Sequence, residues 1–425
     1  MKNPAPQIAN SKNLESTYEG GGLSFFLFCL WTFVLIARPQ DYFPFLGAFR
    51  PVLLVTVLTA AFTFLEGKRF PPGFIQIREV RLLLIFYLIL VAGIPFAVHR
   101  RVAFDFTFVT YMSTLAYFAL FLINVRSPRQ LKRVLWVSVM GGAFLSMLYL
   151  KETLAGSMAG GGRVAASGMY DPNDIAMMFV GLFPLAVYYG FGKERPVRRL
   201  VGFLTALMMI VGTMVTQSRG GVIGLALVIG FLLISSRGTW RGGKKAVALA
   251  VLGGIFMLNF EFVQKRFEGM SEDYNIAEEG GRMHIWRQSL DIFLSNPILG
   301  VGGGCSAIAI GFYRHEMGGL QAWQVTHSSV VQIALETGAP GLIVMALLNI
   351  GAIQALHRIQ RRKEEEGLAT LALFAKLGLY GFWSAAFFLS HAYSIMLYFL
   401  LAVACVLKGI EAQMAGEGNA GNLQT

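Results

Sequence analysis

The chain has 425 residues, 55% of them hydrophobic and 14% charged, with a formal net charge of +12 and a mean hydropathy of +0.58. Soluble domains carry about a quarter charged residues, so this composition excludes an ordinary soluble protein. The positive balance does not mark a nucleic-acid binder either, because its lysines and arginines sit in short clusters between apolar runs, as in the cytoplasmic loops of membrane proteins.

Met1 to Gly22 is polar and lacks the apolar core of a cleavable signal peptide, so 1–22 reads as a cytoplasmic tail. Apolar segments then recur, each near the length of about 20 residues that spans a hydrocarbon core of roughly 30 Å. They fall at 23–37, 52–66, 82–98, 104–124, 134–150, 173–192, 200–216, 220–236, 246–262, 328–357, 368–389 and 392–408. The expected fold class is therefore an all-α polytopic membrane protein of about twelve transmembrane helices. Nine lie within 23–262 and three within 328–408, with a cytoplasmic tail over 409–425.

Every second loop is basic: Lys68, Arg69, Arg78 and Arg81; Arg126, Arg129, Lys132 and Arg133; Lys193, Arg195, Arg198 and Arg199; Arg237, Arg241, Lys244 and Lys245; Arg358, Arg361, Arg362 and Lys363. These loops belong in the cytoplasm. Both termini then face the cytoplasm, and the long interruption at 263–327 lies outside. The same side gathers the 151–172 segment, the Gln217-Ser218-Arg219 hairpin, His99 to Arg101, and His391. Polar residues unusual for such a chain thus converge on one membrane face.

Cys29, Cys305 and Cys405 suggest no disulfide framework. No nucleotide-binding or metal-protease motif is present. The acidic run Glu268, Glu272, Asp273, Glu278 and Glu279 matches no metal-binding loop and reads as solvated charge, so no metal or other cofactor is expected.

Several polar residues on the outer side could carry chemistry. Arg219 reads either as a snorkelling anchor or as a guanidinium that binds phosphate, with Gly220-Gly221 allowing close approach. Arg282 opens an amphipathic pattern through Trp286, Leu290, Phe293 and Leu294 that ends at Asn296-Pro297. The pattern predicts a helix lying on the membrane surface, with Arg282 at an anion-attracting N-terminus. His327 closes the loop, where neighbouring cations would keep it neutral as a general base requires. Ser328, Ser329 and Gln332 continue a polar face inward toward Glu336, just before the Gly338-Ala339-Pro340 break. Glu336 is either functional by default in a membrane or a partner for kinked backbone. Asp171 with Pro172 is a good helix start that could also line the outer cavity. Gly300 to Gly304 reads as a backbone nest for phosphate or, more cheaply, as a glycine-rich turn.

The set of short blocks resembles the O-antigen ligase and polymerase superfamily of bacterial membrane glycosyltransferases. The blocks are Tyr170-Asp171-Pro172-Asn173-Asp174, Thr216-Gln217-Ser218-Arg219-Gly220-Gly221, Gly281-Arg282 with Trp286, Asn296 to Gly302, Thr326-His327-Ser328-Ser329, and Leu335 to Gly341. The resemblance implies a metal-independent, C-type glycosyltransferase of the inner membrane. Such an enzyme takes glycan from an undecaprenyl-diphosphate carrier at the periplasmic face. It also implies that Arg219 and Arg282 bind the donor diphosphate and that His327 activates the acceptor. Asp171, Asn173, Gln217 and Glu336 are expected to support the site. The partners would be that lipid-linked donor, lipid A-core or another glycan acceptor, and membrane lipids, with no nucleic acid. O-antigen ligation is the preferred reading. A polymerase or protein O-glycosyltransferase of the same superfamily, a lipid-linked-glycan or anion transporter, and a non-catalytic assembly partner are the alternatives.

Overall fold

The computed structural model describes residues 21–71, 73–155, 158–159, 163–164, 171–235, 281–319, 323–362 and 366–421. The segment expected to span over 246–262 and the acidic run from Glu268 to Glu279 lie outside these residues.

Among the described residues the chain is helical apart from one short antiparallel pairing. There Met158–Ala159 (β1) meets Arg163–Val164 (β2), with Met158 opposite Val164. The first half holds α1 (Gly22–Ala37), α2 (Pro39–Tyr42), α3 (Pro44–Gly47), α4 (Pro51–Leu65), α5 (Arg78–Gly93), α6 (Arg100–Asp105), α7 (Met112–Asn124) and α8 (Pro128–Leu154). It continues through α9 (Pro172–Phe191), α10 (Pro196–Val215) and α11 (Arg219–Ser235). The second half holds α12 (Arg282–Ser295), α13 (Ser306–Glu316), α14 (Ser329–Arg361), α15 (Glu366–Ala386) and α16 (Ile395–Gly421).

Eight helical stretches are long and apolar enough to cross a bilayer: Arg78–Phe96, Arg100–Asn124, Pro128–Leu154, Pro172–Phe191, Pro196–Val215, Ser329–Arg361, Glu366–Ala386 and Ile395–Met414. Gly22–Ala37, Pro51–Leu65 and Arg219–Ser235 are apolar but shorter. The chain is a multi-pass helical membrane protein.

Helix ends differ from the hydropathy boundaries for a physical reason. Apolar runs stop at the first charge, whereas a helix continues until its backbone groups are capped. In α8, Ser127 Oγ takes the Gln130 amide and Gln130 Oε1 takes the Ser127 amide. This capping box starts the helix well before residue 134. Likewise α16 runs past 408, as Lys408 Nζ donates to both Glu79 carboxylate oxygens at 2.6 and 2.9 Å.

The bundle is built around α9, which is buried without interruption from Asp174 through Gly190. Small residues let its neighbours approach. A Cβ added at Gly202 of α10 would lie 2.7 Å from the Gly190 amide nitrogen, and one at Gly378 of α15 3.1 Å from the Gly181 carbonyl oxygen. In a bilayer, close helix approach of this kind replaces the hydrophobic drive available in water.

A second, smaller core joins α12 and α13 to the bundle through Ile285, Ile292, Val301, Cys305, Ile310 and Leu335. The long loop therefore does not stand off the bundle. Its 296–305 segment seats into α14, where Gly338 adopts φ 68° and the helical ladder breaks. The freed carbonyls of Leu335 and Glu336 accept from the Val301 and Gly302 amides at 2.9 and 3.1 Å, and Ala339 N donates to Pro297 O at 2.8 Å.

Candidate active site

Four of the motif blocks begin helices, and side-chain hydrogen bonds fix three of the starts. Asp171 Oδ1 takes the amides of Asn173 and Asp174 at 2.7 and 2.9 Å, while Asp174 Oδ2 takes the Asp171 amide at 3.1 Å. In the next block Thr216 Oγ1 takes the Ser218 amide at 3.2 Å and Ser218 Oγ takes the Gly221 amide at 3.3 Å. This staples the hairpin and leaves Arg219 in the first turn of α11. In the third, Ser328 caps α14 through the Val331 amide at 3.5 Å, and His327 precedes the cap.

Gln217 and His327 are two of the four non-glycine residues with positive φ among the described residues, at 58° and 49°. A left-handed conformation costs an L-residue about 1–2 kcal/mol and persists only where surrounding contacts fix it. For His327 those contacts lie on both sides. Thr326 O takes the Trp286 indole N–H at 2.9 Å, and Thr326 Oγ1 donates to Ser328 O at 3.0 Å.

The blocks meet on five consecutive residues between α15 and α16. Phe387 stacks edge-on against Trp286 of α12, ring centroids 6.0 Å apart. Phe388 packs on the start of α11, where a Cβ at Gly220 would lie 3.3 Å from Phe388 Cβ. Leu389 O takes the Ser329 hydroxyl at 2.6 Å, and Ser390 Oγ and Thr326 Oγ1 are 2.9 Å apart. His391 Nε2 donates to Asp174 Oδ1, and its amide donates to Ser329 Oγ at 2.9 Å. The ends carrying Arg219, Arg282 and His327 are thus gathered at one end of the bundle, and all three side chains are half-buried. Arg282 lies one helical turn before Trp286 on α12, the residue that touches Thr326.

The remaining expected residues hold this end together. Asp171 and Asn173 shape the start of α9 and Gln217 turns the hairpin. Glu336, fully buried, accepts from Ser306 Oγ at 2.6 Å and the Ser306 amide at 3.4 Å. Gln332 bridges it to the hub: its Nε2 donates to Glu336 at 3.5 Å, and its Oε1 takes the Ala392 amide at 3.3 Å. Gly300 to Gly304 is a packed turn. A Cβ at Gly300 would lie 2.5 Å from Leu335 O, and one at Gly302 2.4 Å from Ala97 Cβ. With the Val301 and Gly302 amides given to α14, the turn reading replaces the phosphate nest.

Residues missed in the sequence are Asp174 as a long-range partner and Ser390, while His391 is grouped there with the polar residues of one membrane face but given no role in the site. The available signal was a Ser-His pair interrupting apolar sequence. Among the described residues no group of three or more His, Cys, Asp or Glu is placed to hold a metal ion.

The α11 and α14 N-termini at this end, with two arginines, favour an anion, whereas the α9 N-terminus is already occupied by the Asp171 and Asp174 carboxylates. Residues 204–346 match a family model described as O-antigen ligase. The matched segment contains Arg219, Arg282 and His327 and leaves out Asp171–Asp174 and Phe387–His391. No curated protein matches the chain. The matched segment, about a third of the chain, is similar to the O-antigen ligase family.

Proposed function

We propose that the protein is an inverting membrane glycosyltransferase that moves glycan from an undecaprenyl-diphosphate donor to an acceptor hydroxyl at the periplasmic face of the bacterial inner membrane. The reaction is ligation of O-antigen to lipid A-core. The observation that carries this reading is the convergence of the Arg219, Arg282 and His327 blocks on one hub at one end of the bundle.

In this reading Arg219 and Arg282 bind the diphosphate and stabilise the charge that develops as it leaves. Guanidinium forks suit phosphate oxygens, and the adjacent helix N-termini add to the same field. His327 accepts the proton of the acceptor hydroxyl, whose oxygen attacks the anomeric carbon opposite the departing diphosphate. The new bond therefore has inverted configuration. The donor is already activated, so no nucleotide is needed. The basic loops at the opposite end, including Lys193, Arg198 and Arg362, support placing the site outside.

The test is purified protein in lipid, given lipid-diphosphate-linked glycan with lipid A-core in one arm and a free glycan acceptor in another. Transfer to lipid A-core is the expected result. Transfer only to free glycan assigns a polymerase, and transfer to neither contradicts both the ligase and the polymerase readings.

A further inference from the structure

Among the described residues, His391 links the start of α9 to the segment beside His327. His391 and Asp174 are separated by 217 residues, and both lie outside the matched segment 204–346. Their side chains are 26% and 13% exposed. Asp174 is committed on both sides, since Oδ2 closes the capping box of α9 while Oδ1 takes His391 Nε2. With Asp174 Oδ1 as the acceptor, Nε2 carries the proton and the ring is oriented. From His391 the contacts run directly to the strained segment. Its amide holds Ser329 Oγ, the Ser329 hydroxyl holds Leu389 O, and Ser390 Oγ holds Thr326 Oγ1. Thr326 and Ser329 flank His327, which stands at φ 49° between them.

We infer that the Asp174–His391 pair is a positioning device that locks the Leu389–His391 segment onto α14 and thereby holds His327 in its left-handed, working orientation. His391 acts through His327 and is not itself a catalytic residue. What His327 then does rests on the transferase reading; the positioning does not.

Two substitutions separate this from simple packing. His391→Phe keeps a ring of similar size but loses the donor to Asp174, whereas His391→Gln places an N–H near the position of Nε2. Hydrogen exchange over 326–332 in the substrate-free protein should be faster in His391→Phe and close to wild type in His391→Gln. With lipid-diphosphate donor and acceptor, His391→Phe should lose about 10- to 100-fold in kcat, as small misplacements of a reacting group do. Its donor KM should stay near wild type, and His391→Gln should recover most of kcat. Unchanged exchange in His391→Phe, or a Gln variant as impaired as the Phe variant, overturns the inference. If the wild-type protein transfers no glycan while exchange still follows the Phe/Gln split, the transferase reading fails and the positioning stands.

Discussion

At the scale of single residues, the candidate site is made of ordinary side chains in unusual places. His327 and Gln217 occupy backbone conformations that non-glycine residues avoid, and both are stapled by neighbouring hydroxyls and amides. The identity of His327 and the two arginines was legible because each interrupts or borders an apolar run. His391 was not read as a site residue, since its meaning depends on a carboxylate 217 residues away. Cys305 gives a direct check on the core beneath the site. It is buried, its Sγ donates to His99 O at 3.5 Å, and burial pushes the thiol up to about 11. Against its ordinary value of 9.0, that leaves roughly 100-fold less thiolate at neutral pH. Alkylation of Cys305 at pH 7.5, followed by mass spectrometry, should therefore be slow in the folded protein and fast after denaturation. Rapid labelling in the folded state would contradict the packing described.

At the scale of elements, the decisive feature is the break in α14. Gly338-Ala339-Pro340 announces a kink in the sequence, and the physical reason is clear, as proline removes a donor and glycine permits positive φ. What the kink receives was not legible, because the pairing of 297–302 with 335–339 is set by tertiary packing and not by local pattern. Glu336 belongs to this joint: its carboxylate ties the start of α13 to α14 and, through Gln332, to the hub. Gly338→Ala tests the joint. A Cβ there would lie 2.5 Å from Ile298 O at φ 68°, and the left-handed backbone alone costs about 1–2 kcal/mol. Unfolding in detergent should show a loss of at least that size. Gly230→Ala, with nothing among the described residues within 4 Å of the added Cβ, should be neutral or slightly stabilising in its helix. Equal stability of the two variants would show that the seated loop contributes nothing.

At the scale of the whole molecule, the two ends of the bundle divide the work. One end holds ion pairs that tie helices together, such as Glu79 with Lys408 and Arg362 with Glu411. The other gathers helix N-termini, two arginines and His327 around the five hub residues. The multi-pass helical character was legible from composition and hydropathy alone, because a bilayer imposes length and polarity on every crossing. The assembly of the site was not, since motif order along the chain carries no information about which loop binds them together. The proposed division of labour pairs donor-binding arginines with an acceptor-activating histidine. It is tested most directly by measuring donor binding and glycan transfer side by side in wild type, Arg219→Ala, Arg282→Ala and His327→Ala. His327→Ala should bind lipid-diphosphate donor nearly as wild type does while turnover falls about 10²- to 10⁴-fold, and both arginine variants should lose donor affinity. Transfer at the wild-type rate by His327→Ala would contradict it.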